Sequence, residues 1–125
     1  YKRQAMDSEI DLLVGAVRRF RDDRDWGQFH TLKHLAAGLA IEATELQERL
    51  LWKGDDEVDA LAHTESGKER LRHEVADIMI FVLLLADKLD IDLSQTVREK
   101  IELNANKYPI DKARGNHTKY TAWQS

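Results

Sequence analysis

The chain has 125 residues, of which 42% are hydrophobic and 34% are charged, and its formal net charge is −4. This length corresponds to one domain. Six glycines and one proline are too few for a sandwich or barrel, which needs a turn about every 8–12 residues. We therefore exclude an all-β fold and predict an all-α bundle of four to five helices.

Composition also excludes several classes of function. The absence of cysteine excludes disulfides, thiolate metal sites and cysteine nucleophiles. The longest apolar run covers residues 78–86, whereas a membrane span needs about 20 residues. We therefore expect no membrane partner. A mildly acidic chain is repelled by a phosphate backbone, so we do not expect nucleic acid as a partner either. Because the N-terminal residues lack a signal-peptide pattern, we expect a cytoplasmic location.

Two N-terminal segments carry apolar residues at the three- and four-residue spacing of amphipathic helices. The first predicted helix covers about residues 8–24, with Asp7 or Ser8 as its N-cap. The second predicted helix begins after Thr31, a suitable N-cap, and ends by Gly54. We expect this second helix to exceed twenty residues.

The middle of the chain contains an acidic segment and then a strongly apolar one. Residues 54–66 are polar with few apolar anchors, and we predict a loop there. Ser66 and Glu69 match a capping box, so the third predicted helix starts near residue 67 and runs to about Leu89. Because residues 75–86 are apolar on almost every face, they require burial all round, which favours self-association.

The C-terminal part of the chain predicts one further helix and a tail. Asp92 and Gln95 open the fourth helix, and Pro109 stops it. We expect a single domain over residues 1–125, with a flexible tail from about residue 109.

Four acidic residues form two pairs with helical spacing. Glu42 and Glu45 are three positions apart on the second helix, and Glu74 and Asp77 are three apart on the third. Each pair lies on one helix face, and its neighbours in sequence are largely apolar. Carboxylates removed from water and crowded together need compensation. We therefore predict that all four bind divalent cations.

The ligand type narrows the choice of metal. Carboxylate oxygens suit Mg²⁺, Mn²⁺ or Ca²⁺, and we favour Mg²⁺, with Mn²⁺ as a substitute. A di-iron bundle needs Glu-x-x-His on two helices, and none of the five histidines has a glutamate three residues before it. The alternative is that the carboxylates only form ion pairs, and their candidate partners are Arg49, Lys53, Arg70 and Arg72.

Aromatic and polar residues outside the two acidic pairs have side-chain chemistry suited to binding a ligand. Trp26 and Trp52 can sandwich a base, with His30 as a hydrogen-bond donor to its edge; the alternative is core packing. Lys100 and Asn104 lie one helical turn apart, so one can contact phosphate while the other contacts sugar or base. Their alternative is an ordinary exposed helix face.

These residues, with several short motifs, resemble one known family over about residues 10–121. The chain is similar to the dCTP pyrophosphatase branch of the MazG-like all-α nucleoside triphosphate pyrophosphatases. The E-x-x-E and E-x-x-D pairs are shared across that superfamily, whereas other segments are typical of the branch. Those segments are D-W-G-Q-F-H at 25–30, W-K at 52–53, K-Y-P at 107–109 and K-Y-T at 119–121. Lys100, Asn104, Arg114 and Gly115 also contribute to the resemblance.

The resemblance implies hydrolysis of dCTP, or a related and modified deoxynucleoside triphosphate, between its α and β phosphates. The products are a monophosphate and pyrophosphate, and the implied role is cleansing of the nucleotide pool. The resemblance also implies Mg²⁺ at the four carboxylates and a homodimer or homotetramer. The catalytic residues are then Glu45 and Glu42, and we favour Glu45 as the general base. The substrate-binding residues that we assign are Trp26, His30, Trp52, Phe81, Lys100, Asn104, Lys107, Tyr108, Arg114 and Lys119.

Two departures from the family leave the base preference open. Val17 stands where close members carry a base-facing histidine on the first helix, and Phe81 stands where they carry a tyrosine four residues after the metal-binding aspartate. Both changes remove hydrogen-bonding groups, and such groups provide much of an enzyme's discrimination. The alternatives are a dUTP or broad-range nucleoside triphosphate pyrophosphatase, or a non-catalytic helical oligomer.

Overall fold

The computed structural model describes residues 8–117 and residue 121. Over these residues it contains no strand and six α-helices, which confirms the all-α prediction with more helices than expected. None of the described helices is both long and apolar enough to cross a membrane. The helices are α1 (Glu9–Asp23), α2 (Leu32–Leu50), α3 (Asp55–His63), α4 (Glu65–Leu89), α5 (Leu93–Lys107) and α6 (Ile110–Ala113), with a 3₁₀ turn (Gly27–Phe29) after α1.

The chain forms two compact units, and the first ends at Asp90. Helix α4 is the centre of this unit, since α1, α2 and α3 all pack against it and α2 does so most extensively. The packing of α2 along α4 is what brings the predicted acidic residues of these two helices together. The buried apolar core consists of Val14, Leu35, Leu83, Leu84 and Ala86.

The second unit begins at Ile91 and contains α5 and α6. The side chain of Asp92 accepts a hydrogen bond from the backbone N–H of Gln95 at 3.2 Å, which caps α5 as predicted. Helix α5 ends at Lys107, and Pro109 is the N-cap of α6. The predicted fourth helix is therefore confirmed, together with the residue that stops it.

The beginnings of α1 and α2 agree with the sequence, but the end of α2 does not. Ser8 and Asp11 form a reciprocal capping box at the start of α1. Thr31 caps α2 by accepting from the backbone N–H of His34 at 3.1 Å. Helix α2 has 19 residues rather than more than twenty, because Leu51 is extended and Trp52 has a φ of 70°.

The prediction of a loop over residues 54–66 is wrong, because most of this segment forms α3. Three acidic residues occupy the first turn of α3, where their negative charges stabilise the helix by interacting with the positive end of its dipole. Val58, Leu61 and Ala62 are partly buried, and their spacing places them on one face. A short amphipathic helix with an acidic first turn therefore has a composition much like that of a polar loop.

The predicted capping box at Ser66 and Glu69 is also wrong. Thr64 is the N-cap of α4, and its hydroxyl accepts from the backbone N–H of Gly67 at 3.0 Å. Because Thr64 also ends α3, a single residue separates the two helices. A Cβ on Gly67 would overlap the carbonyl oxygen of Leu61, so this tight junction requires glycine.

The apolar half of α4 is buried on one side only within the single chain. Leu83, Leu84 and Ala86 are buried, whereas Val75 is 55% exposed and Ile80 is 40% exposed. Burial of residues 75–86 all round, as expected from their composition, is therefore not achieved by this chain alone.

Candidate active site

Three of the four predicted metal ligands lie together between α2 and α4. Glu42 and Glu45 of α2 and Glu74 of α4 each offer a carboxylate oxygen, and these oxygens lie within 4.8 Å of one another. We call these three residues the carboxylate cluster. Asp77 follows Glu74 by almost one turn of α4 and is close enough for its charge to act on Glu42. Glu74 is buried and Glu42 partly buried, but Glu45 and Asp77 are exposed.

The electrostatics of the cluster favour a cation. Burial raises the pKa of Glu42, and a hydrogen bond and the negative charge from Glu45 raise it further, followed by the charges of Asp77 and Glu74. One carboxylate oxygen, Oε2, of both Glu42 and Glu74 is buried without a hydrogen-bond partner. Such orphaned oxygens are costly unless something compensates them. A divalent ion with a preference for oxygen ligands fits this arrangement.

One ion pair of the alternative interpretation is present. Arg49 Nε donates to Glu74 Oε1 at 3.1 Å, which neutralises one side of that carboxylate and leaves its other oxygen, Oε2, without a partner. Arg72, another predicted partner, pairs instead with Glu69 on the surface of α4. Within the described residues, the ion pairs therefore compensate only part of the charge in the cluster.

An open cavity of about 530 Å³ adjoins the cluster, and we call it the acidic cavity. Its lining residues are Glu45, Glu48, Arg49 and Glu74. The sequence interpretation did not include Glu48 in the site. Its position three residues after Glu45, on the same helix face, was the signal that could have placed it there.

A second cavity of about 430 Å³ brings together several residues of the predicted base site, and we call it the apolar cavity. Trp26, His30 and Phe81 line it, as does Val17, one of the two departures from the family. Asp77 also lines it, so this aspartate borders the apolar cavity while its charge acts on the carboxylate cluster. The other lining residues are Ala16, Phe20, Arg21, Ile80 and Leu84.

Trp26 and His30 are presented to the apolar cavity by the turn after α1. The Trp26 ring packs edge-on against Phe20, with centroids 5.7 Å apart and planes at 72°. Burial lowers the pKa of His30, and the charges of His34, Arg21 and Lys88 lower it further. His30 is therefore neutral at physiological pH. Its Nδ1 atom is buried without a hydrogen-bond partner.

Trp52 is not brought to Trp26 within the chain. Its side chain is 93% exposed, on the left-handed turn after α2, and it does not line the apolar cavity. The predicted sandwich of a base between the two tryptophans is therefore not formed by this chain alone.

The remaining predicted substrate-binding residues belong to the second unit. Lys100, Asn104 and Lys107 are exposed on α5. Tyr108 is the C-cap of α5 and donates its backbone N–H to the carbonyl of Asn104 at 2.8 Å. Arg114 is exposed directly after α6. The last predicted residue, Lys119, lies outside the described residues.

Comparison with protein families now adds to this geometry. The model of the MazG-like family matches residues 38–122, which include the carboxylate cluster, Asp77 and all of α5. The chain belongs to the MazG-like family. The sequence resemblance to this family is thereby confirmed.

Individual MazG-like relatives are also similar to the chain. It is 36% identical over 102 residues to dCTP pyrophosphatase 1 of Mus musculus and 37% identical to that of Bos taurus. Each alignment covers 82% of this chain, which spans only 60% of the length of these relatives. A solved pyrophosphatase from Archaeoglobus fulgidus aligns with a TM-score of 0.75 and 34% identity, covering 86% of this chain and 99% of that one.

Proposed function

We propose that this MazG-like protein is a nucleoside triphosphate pyrophosphohydrolase that depends on Mg²⁺. The observation that carries the proposal is the carboxylate cluster, in which three carboxylates from two helices lie within 4.8 Å of one another and two of their oxygens are buried without partners. The names of the similar proteins, dCTP pyrophosphatase 1 and pyrophosphatase, support the reaction class.

Glu42, Glu45 and Glu74 would hold the cation, and Asp77 would complete the set. Oxygen-only ligands favour Mg²⁺, with Mn²⁺ as a substitute. When bound, Mg²⁺ supplies positive charge that offsets the triphosphate and lowers the pKa of the attacking water. Without such charge, a triphosphate would be repelled by the acidic residues of this site.

The glutamates of the cluster have different roles in the proposed hydrolysis. Glu45 lines the acidic cavity and is exposed to solvent, so its carboxylate can accept the proton of the water that attacks the α-phosphorus. Glu42 is more deeply placed than Glu45 and would act as a ligand of the cation. Attack at the α-phosphorus breaks the bond to the β-phosphate and releases a monophosphate and pyrophosphate.

The apolar cavity is the proposed base site. Trp26 offers an aromatic face, and stacking of one base on such a face contributes about 1–3 kcal/mol. Asp77 borders this cavity, so a base held there lies beside the cluster that acts on its phosphates. We propose dCTP or a related modified pyrimidine triphosphate as the substrate and nucleotide-pool cleansing as the role, in the cytoplasm.

We further propose that the cationic residues of the second unit bind the phosphates and sugar, and that the active form is a homodimer or homotetramer. Exposed apolar residues of α4, including Val75 and Ile80, support self-association, because a large exposed apolar surface is typical of an interface. Exposed Trp52 can then contribute to a site formed with another copy. Nucleic acid and membranes are not among the proposed partners.

Pyrophosphate release from a panel of dCTP, dUTP, dATP and modified pyrimidine triphosphates tests the proposal. We expect release with Mg²⁺, none with EDTA, and loss of at least about 100-fold in kcat for Glu45→Gln and Asp77→Asn. Arg72→Gln is a matched surface control, because its ion pair with Glu69 is exposed on both sides, and it should keep wild-type activity. Circular dichroism should show that each variant stays helical.

The panel also decides between the alternatives. Strong release from dUTP, or equal release across the panel, identifies a dUTP or broad-range pyrophosphatase. Wild-type activity in both carboxylate variants would refute the proposed site. No release from any triphosphate would favour a non-catalytic helical oligomer.

A further inference from the structure

Phe81 of α4 takes part in two contacts that involve its position. Its side chain lines the apolar cavity. Its ring also lies directly against Gly38 of α2, in the space that the Cβ of any other residue would occupy. A Cβ on Gly38 would lie 2.6 Å from Cζ of Phe81 and 3.0 Å from Cδ1, with Cε1 closer still. The absence of a side chain at Gly38 therefore permits the observed position of the ring.

A methyl group at Gly38 would force the ring to move. Ordinary van der Waals contact lies at 3.4–4 Å, so Cζ at 2.6 Å would have to retreat by about 0.8 Å to reach it. Protein interiors are closely packed and leave little free volume elsewhere. Because Phe81 borders the apolar cavity of about 430 Å³, we expect the displaced ring to enter that cavity and reduce it.

The polar groups around the apolar cavity leave few means of reading a base by hydrogen bonds. The guanidinium of Arg21 is already engaged, donating to Asp22 at 2.8 Å and to Asp87 at 2.9 Å. His30 Nδ1 is a buried atom that still lacks a partner, and most of the other lining side chains are apolar. A cavity of this kind selects ligands mainly by shape and size.

We propose that Gly38 is a specificity-determining residue that sets the largest base the apolar cavity admits. Gly38 does not line the cavity and acts through the position of Phe81, so it is a positioning residue. This inference rests on the proposed function, because it takes the apolar cavity as the base site. Selection by size then replaces the hydrogen bonds that Val17 and Phe81 cannot make.

A graded series of triphosphates tests this role. The series runs from an unsubstituted pyrimidine through a C5-substituted pyrimidine to a purine, and kcat and KM are measured for each with Mg²⁺. For Gly38→Ala we expect kcat/KM to fall by about tenfold or more for the largest base that the wild type accepts. This loss should appear chiefly in KM, while kcat for the smallest base stays within about twofold.

Two further variants separate size selection from general damage. In the Gly38→Ala background, Phe81→Leu should restore the acceptance of larger bases, because the smaller side chain tolerates the methyl group. Gly15→Ala is the matched control: it also places a methyl group on a helical glycine, and its Cβ would meet only the end of the Arg19 side chain at 3.6 Å. It should leave the whole series unchanged.

The outcomes are distinct. An unchanged size limit in Gly38→Ala, or an equal loss for every base, would overturn the role of Gly38. If Gly38→Ala does not fold, Phe81→Leu alone decides: a shift of the limit to larger bases supports the inference, and an unchanged limit overturns it. Failure of the wild type to release pyrophosphate from any triphosphate would instead refute the proposed function on which the inference rests.

Discussion

Replacing Glu42 by glutamine removes one negative charge from the carboxylate cluster while keeping the size of the side chain. In the metal-free protein, burial and the neighbouring carboxylates raise the pKa of Glu42 above its ordinary value of 4.5. The carboxylate oxygens of the cluster lie within 4.8 Å of one another, and two unit charges at about this distance repel each other by about 1 kcal/mol in water. We therefore expect Glu42→Gln to be more stable than the wild type by about 1 kcal/mol without metal.

The sign of the pH dependence follows from the raised pKa. The folded protein holds this proton more tightly than the unfolded chain, so the wild type loses stability as the pH rises from 4.5 through the folded pKa of Glu42. The advantage of Glu42→Gln should be present at pH 8 and absent below the unfolded pKa. An excess of 1 kcal/mol corresponds to roughly 4 °C in Tm for a domain of this size.

Divalent metal should reverse the order of stability. An ion at 100 times its Kd stabilises the folded protein by about 2.7 kcal/mol, and the variant has lost one ligand. Thermal unfolding at pH 8 in EDTA and in MgCl₂ measures both effects. The reasoning is refuted if Glu42→Gln is less stable than the wild type in EDTA, or if MgCl₂ stabilises both proteins equally.

Two further predictions concern the scaffold. Gly67→Ala should lower the free energy of unfolding by about 2 kcal/mol or more, because its Cβ overlaps the Leu61 carbonyl oxygen; urea denaturation measures this, with Gly54→Ala, where a Cβ meets nothing within 4 Å, as the control. Burial raises the pKa of Asp87, but the hydrogen bonds from Arg18 and Arg21 outweigh burial and leave the pKa lowered. Asp87→Asn should therefore lower the free energy of unfolding by about 2 kcal/mol at pH 7. A lowered folded pKa stabilises the protein above the unfolded value of 3.8, and this gain is lost as the pH falls through the folded value. A destabilisation that does not shrink as the pH falls below 3.8 would contradict the assignment.

The parts of the fold that local rules specify were predictable from the sequence. Ser8, Thr31 and Asp92 are N-caps whose side chains satisfy free backbone N–H groups, and such signals depend on a few adjacent residues. The prediction of where α4 starts was wrong because Ser66 and Glu69 match a capping box, whereas Thr64 is the N-cap that fits the tight junction with α3. That choice depends on tertiary packing, which a local pattern does not contain.

The candidate site was also predictable from the sequence only in part. The i, i+3 spacing of Glu42 and Glu45 predicted a shared face, and the packing of α2 on α4 adds Glu74 to it. The role of Gly38 was not predictable, because it depends on a contact with Phe81, which lies 43 positions later in the sequence and on another helix. The place of Trp52 was not predictable either, because its exposure depends on the backbone turn that ends α2.

Calorimetric titration with Mn²⁺ at pH 8 tests the central claim most directly, because it measures cation binding without any nucleotide or turnover. We predict that the wild type and Arg72→Gln bind Mn²⁺ alike, and that Glu74→Gln binds at least about tenfold more weakly, since the buried Oε2 of Glu74 would be replaced or misplaced as a ligand. Absence of binding by the wild type, or equal binding by Glu74→Gln, would contradict the account.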